Sequence, residues 1–152
     1  MNHLRRLEKL NLASNQLTIH GIPKDLSDMQ HLKIVDLPRN QFSGLPVGLT
    51  TLPNLESLDL AFCGIRRLRR EIGRLKALQS LNLAGNRLST LPAEIGQLTN
   101  LHVLHLEENP LKDLPEEFAN LVNLRTLYLP RRITKDHPVL LKMRRRQKLW
   151  SD

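Results

Sequence analysis

The chain has 152 residues, 40% of them hydrophobic and 25% charged, enough for one domain with a modest core. Aromatic residues make up only 3%, so the interior has to be aliphatic, and a single cysteine, Cys63, excludes an internal disulfide and favours a reducing, intracellular setting. The formal charge of +8 points to acidic proteins, nucleic acid or anionic lipid as partner classes, and it is concentrated: between Leu124 and Asp152 nine basic side chains face two acidic ones.

In chain order, the start MNHLRRLEKLNLASNQ breaks up its apolar residues with charge, unlike a signal peptide or a membrane span, so a cytoplasmic protein is expected. A motif of strand type then begins and recurs: LEKLNLASNQL at Leu7, LKIVDLPRNQF at Leu32, LESLDLAFCGI at Leu55, LQSLNLAGNRL at Leu78, LHVLHLEENPL at Leu101 and LRTLYLPRRIT at Leu124. The first interval is 25 residues and the other four are 23. Alternating leucines inside each motif predict a short strand with one face inward. The returns IPKDLSDM, LPVGLTTL, LRREIGRL, LPAEIGQL and LPEEFANL predict proline-started helical or 3-10 turns whose apolar residues face the same interior.

One such unit cannot bury its leucines, but stacked units can. The expected fold is therefore α/β, a right-handed curved solenoid over residues 1–133, with a parallel sheet on the concave face and short helical or 3-10 turns on the convex one. The stretch 134–152 is expected to form a basic capping helix that starts near Pro138, with Val139, Leu140, Leu141, Met143, Leu149 and Trp150 as apolar anchors. Two extra residues around TIHGIP should make the convex side bulge in the first interval. Leu4 already fits the last leucine of a preceding unit, so no cap is expected before the first strand. A longer array, a paired first strand and a charge-blunted edge all fit.

The motif L-x-x-L-x-L-x-x-N-x-L followed by L-P-x-x-I-G-x-L is similar to the leucine-rich repeats, and in its 23-residue form resembles the intracellular repeats of Scribble, Erbin and the Ras-suppressor proteins and of some bacterial effectors. The G-I-P of the first return resembles plant-type repeats. The resemblance implies a protein-binding scaffold that is not an enzyme, serving as a signalling adaptor or as a bacterial effector delivered into a host cell.

Asn15, Asn40, Asn86 and Asn109 recur after the strands, where an amide bonds the backbone of neighbouring turns; Cys63 shares the column as a buried structural thiol, and Arg132 ends it. Outward strand positions form a candidate protein-binding row, Asn11, Asp36, Asp59, Asn82, His105 and Tyr128, flanked by Arg39, Phe62, Glu107, Glu108 and Arg131. Phe62, His105 and Tyr128 are the candidate anchors. Asp36 and Asp59 lack an accompanying nucleophile, lid or cofactor motif, so no catalytic residue is assigned. His102 and His105, three apart on a strand, tend to opposite sides, and neither a metal nor a cofactor is expected.

Arg66, Arg67, Arg69, Arg70 and Arg74, with Arg144, Arg145 and Arg146, form a candidate patch for an acidic partner; Arg69 stands where the other returns have proline. The alternative to protein binding on the sheet is electrostatic attachment to nucleic acid or an anionic membrane through the basic C-terminal segment. Nucleic acid is disfavoured by the lack of interleaved aromatic residues.

Overall fold

In the computed structural model, which describes residues 4–147, six strands lie parallel in one open sheet in chain order. They are β1 Lys9–Asn11, β2 Ile34–Asp36, β3 Ser57–Asp59, β4 Ser80–Asn82, β5 Val103–His105 and β6 Thr126–Tyr128. The register sets equivalent residues opposite one another, so Val35, Leu58, Leu81 and Leu104 form one buried column. Leu37, Leu60, Leu83 and Leu106, two residues on, form a second, as the period of a strand requires.

The returns contain 3-10 helices at Val47–Thr51, Arg70–Arg74, Ala93–Gln97 and Glu116–Asn120. In three of them a proline stands one residue earlier, at the N-cap, in extended geometry: Pro46, Pro92 with φ −71° and ψ 153°, and Pro115 with φ −65° and ψ 151°; Arg69 holds that place before Arg70–Arg74. A ring that fixes φ near this value prepares the entry. Successive returns stack so closely that a Cβ on Gly96 would collide with the Glu117 carbonyl, and one on Gly48 with the Pro23 carbonyl. The first return departs from this plan. Its extra residues wind into a 3-10 turn at Ile19–Gly21, ahead of Pro23, and Asp25 Oδ1 accepts the Ser27 N–H at 2.9 Å, an Asx turn that competes with helix.

The expected terminal helix is α1, Pro138–Gln147, packed on the Glu116–Asn120 turn. His137 caps it. Its Nδ1 accepts the Val139 N–H at 3.2 Å, so the ring proton sits on Nε2 and donates to Asp113 Oδ1 at 2.7 Å. Val139, Leu140 and Met143 are buried, whereas the expected anchor Leu141 is exposed. It lies about 100° round the helix from Leu140, on the side away from Val139 and Met143. Leu149 and Trp150 lie outside the described residues. Among the described residues no helix is long and apolar enough to cross a membrane. At the other end Leu4 is exposed and Leu7, Leu10 and Leu12 are only partly buried.

Candidate functional site

The sheet face is built on an internal amide ladder. Asn86 Nδ2 donates to the carbonyls of Leu60 and Leu83, and its Oδ1 accepts the Cys63 and Ile65 N–H groups of the preceding turn. Asn40 and Asn109 repeat the arrangement. The Cys63 thiol does the donor's part, reaching the Leu37 carbonyl at 3.2 Å, and burial pushes its pKa up. Asn15 departs from expectation. It is exposed, and among the described residues its amide donates to the Ala13 carbonyl. A second ladder that sequence reasoning missed runs through Asn54, Asn100 and Asn123, whose amides donate at 2.7 Å to the carbonyls of Gln30, Lys76 and Thr99. The 23-residue recurrence of asparagine before leucine in the last two was its signal.

The register brings the proposed central row together as Asn11, Asp36, Asp59, Asn82, His105 and Tyr128. Its members are not equally free. Asn11, Asp59 and Asn82 each accept the N–H of the alanine two residues on, Ala13, Ala61 and Ala84, and so close the turn that ends their own strand. Asp36 cannot, because the residue two on is Pro38, which has no N–H; its carboxylate meets Lys9 Nζ at 3.6 Å instead.

The next column outward carries Ser14, Arg39, Phe62, Gly85 and Glu108, every one at positive φ. Only glycine takes that conformation without strain, and a bulky ring takes it least readily. Phe62 nevertheless holds it at φ 56° and is 43% exposed. Its ring lies flat over Gly85, where a Cβ would strike it, and the Arg39 guanidinium sits 5.1 Å from its centroid. Arg39, Phe62 and Gly85 thus form one ledge across three turns. Arg131, in the corresponding place after β6, is exposed.

Two turns along, the His105 and Tyr128 rings stack with centroids 4.4 Å apart and planes 14° from parallel. Glu107 Oε1 lies 2.9 Å from His105 Nδ1, while Oε2 is shielded with no hydrogen-bond partner among the described residues. Tyr128 is 47% exposed. Ile34, exposed on β2, is a further apolar group on this face.

The comparisons with known proteins agree with this architecture. The family described as leucine-rich repeat region matches residues 48–151, and leucine rich repeat matches residues 5–65. The chain belongs to the leucine-rich-repeat family. Solved structures similar to this repeat protein include a leucine-rich-repeat protein of Leptospira interrogans (32% identity, TM-score 0.73, covering 85% of this chain and 32% of that one). The leucine-rich-repeat domain of the type III effector XopL is similar at 26% identity and TM-score 0.75, covering 85% of this chain and 46% of that one. The plant peptide hormone receptor RGFR1, solved with RGF2, is similar at 37% identity and TM-score 0.65, covering 82% and 21%. The chain thus spans less than half of each of these structures. No curated protein matches it. Leucine-rich-repeat proteins generally mediate protein–protein interaction, and their fold is typically a binding scaffold without enzymatic activity.

Within this leucine-rich-repeat chain the arginines grouped in the sequence fall in two places. Arg66, Arg67, Arg69, Arg70 and Arg74 are exposed on the third turn, whereas Arg144, Arg145 and Arg146 ride on α1, which packs on the Glu116–Asn120 turn. They are not one patch. Arg145 and Arg146 are exposed, and Arg144 lies half-buried at an apolar cavity of about 140 Å³ lined by Leu127, Leu129, Ile133, Leu140 and Met143.

Proposed function

We propose that the protein is a non-catalytic intracellular scaffold that holds a protein partner against its sheet face. The observation that carries this reading is the Phe62 ledge: a large ring kept in a strained backbone conformation, half in solvent, between Arg39 and Gly85. Aromatic and arginine side chains are the groups that dominate binding when a partner covers them. The stacked His105 and Tyr128 give a second anchor. Asp36 and Glu108 supply acceptors on the same face. The likeness to an effector domain and to a receptor solved with a peptide hormone supports a role as effector or signalling adaptor.

The test is capture of partners from cell lysate by the immobilised protein, compared with a Phe62→Ala, Tyr128→Ala double variant. Hot-spot truncation costs about 2 kcal/mol or more, so the specific band should fall about thirtyfold or vanish while the melting curve stays cooperative. Undiminished capture by the double variant would reject the sheet face as the site.

A further inference from the structure

The convex side carries a feature that the sheet-face reading does not use. At the entry to the third return the backbone is shaped for proline: Arg69 has φ −76° and ψ 155°, close to Pro92 at φ −71° and ψ 153° and Pro115 at φ −65° and ψ 151°. No hydrogen bond from the Arg69 N–H is formed among the described residues. The fold therefore asks for proline here and receives arginine. That side chain lines a groove of about 170 Å³ between the first and third returns. The floor is apolar, from Ile22, Leu45 and Val47, Ile19 stands exposed at its side, and Lys24 is the second cation on it. Arg66, Arg67, Arg70 and Arg74 are exposed in the same stretch of chain as Arg69, where Glu71, 4.0 Å from Arg70 Nε, is the one acid; Glu94 of the next turn packs against Gly73, and Asp25 of the first return has its carboxylate engaged by Ser27.

We infer that this groove is a second binding surface, one that takes an acidic peptide segment of a protein partner, seating one aliphatic side chain on the Ile22, Leu45 and Val47 floor with its flanking carboxylates on Arg69 and Lys24. The volume suits that occupant. It is well below the roughly 300 Å³ and upward of small-molecule pockets. The apolar surface is recessed, so a side chain must enter it, which a flat lipid surface does not do. The one ring that lines it is the His20 imidazole, and no Phe, Tyr or Trp is there to serve as a broad platform for a nucleobase. Unequal charge supplies the remaining selectivity: complementary fields steer such a segment in, and like charge keeps basic partners out.

The structure also provides a variant that keeps the fold. Arg69→Pro installs the residue the other returns carry, in a backbone already set for it, and should melt at the same temperature or slightly higher. The probe is a fluorescein-labelled short peptide of glutamates and aspartates around a central leucine, followed by anisotropy at low salt. Wild type should bind it saturably, Arg69→Pro about tenfold more weakly, and a peptide with serine at its centre severalfold more weakly. Phe62→Ala with Tyr128→Ala should bind it as wild type does, which separates failure here from failure of the sheet-face site. Equal binding by wild type and a well-folded Arg69→Pro, or equal binding of the leucine and serine peptides, would overturn the inference. So would phosphatidylserine vesicles or duplex DNA competing the peptide off with an equal Arg69 dependence.

Discussion

Two columns one residue apart in the repeat show how this molecule divides its labour. Asn40, Asn86 and Asn109 point inward, are buried, and are asparagine because four or five backbone groups of two turns converge on each amide, with the Cys63 thiol standing in as donor in the third turn. Arg39, Phe62, Gly85 and Glu108, immediately before the column's residues, share a single backbone conformation and nothing else. Backbone geometry is imposed on both columns, but side-chain identity only on the first. Where the fold sets the conformation and leaves the residue free, the residue is available to a partner, as the sheet-face role proposed above requires.

The largest effect should come from breaking the inner column. Asn86→Leu strips partners from the N–H groups of Cys63 and Ile65 and from the carbonyls of Leu60 and Leu83. Stranding such buried groups should cost about 3 kcal/mol or more, a fall in Tm of roughly 6–12 °C for a chain of this size. A melting curve within a degree or two of wild type would show that the ladder is not what holds the turns in register. Next in size, Gly96→Ala forces a methyl against the Glu117 carbonyl and should cost about 1–3 kcal/mol by denaturant titration, with sheet-face binding intact once folded.

Gly85→Ala sharpens the contrast from the other side. It costs only about 1 kcal/mol through its positive φ, yet the new Cβ displaces the Phe62 ring. Partner capture should therefore fall far more than stability does. If capture tracks stability, the ledge is merely structural. Cys63→Asn tests the inner column in the favourable direction. It restores the amide that neighbouring turns use, so Tm should stay level or rise slightly, whereas the thiol of the wild type, buried and with its pKa pushed up, should resist thiol reagents until the protein unfolds.

These contrasts explain what was legible beforehand. The repeat spelled out strand positions, core leucines and inner column, because stacking demands the same kind of side chain at the same place in successive turns. The rim was legible as a row but not as a set of contacts. That Asn11, Asp59 and Asn82 are engaged by the alanine N–H groups while Asp36 is released depends on a proline two residues away. That Phe62 rests on Gly85 depends on a neighbour a whole turn later. Such pairings are fixed by three-dimensional register. Leu141 was misplaced for a simpler reason: an apolar residue in a helix is an anchor only on the face that meets the core, and that face was set by Val139, Leu140 and Met143.

The smallest effect lies at the clasp that joins α1 to the fifth turn. Hydrogen bonds from the His137 ring and the Leu114 N–H hold the Asp113 carboxyl below its ordinary range. A carboxyl whose pKa is lower folded than unfolded contributes stability that is fully present above the unfolded value, near 3.9, and is lost as pH falls through the folded one. Acidification below about pH 4 should therefore loosen the start of α1, seen as faster hydrogen exchange at Val139 and Leu141. Asp113→Asn still accepts the His137 proton but no longer titrates, so its exchange there should lose this acid-side step. If wild type and Asp113→Asn lose protection in parallel on acidification, the clasp does not depend on that carboxylate, and α1 is held by its buried Val139, Leu140 and Met143 face alone.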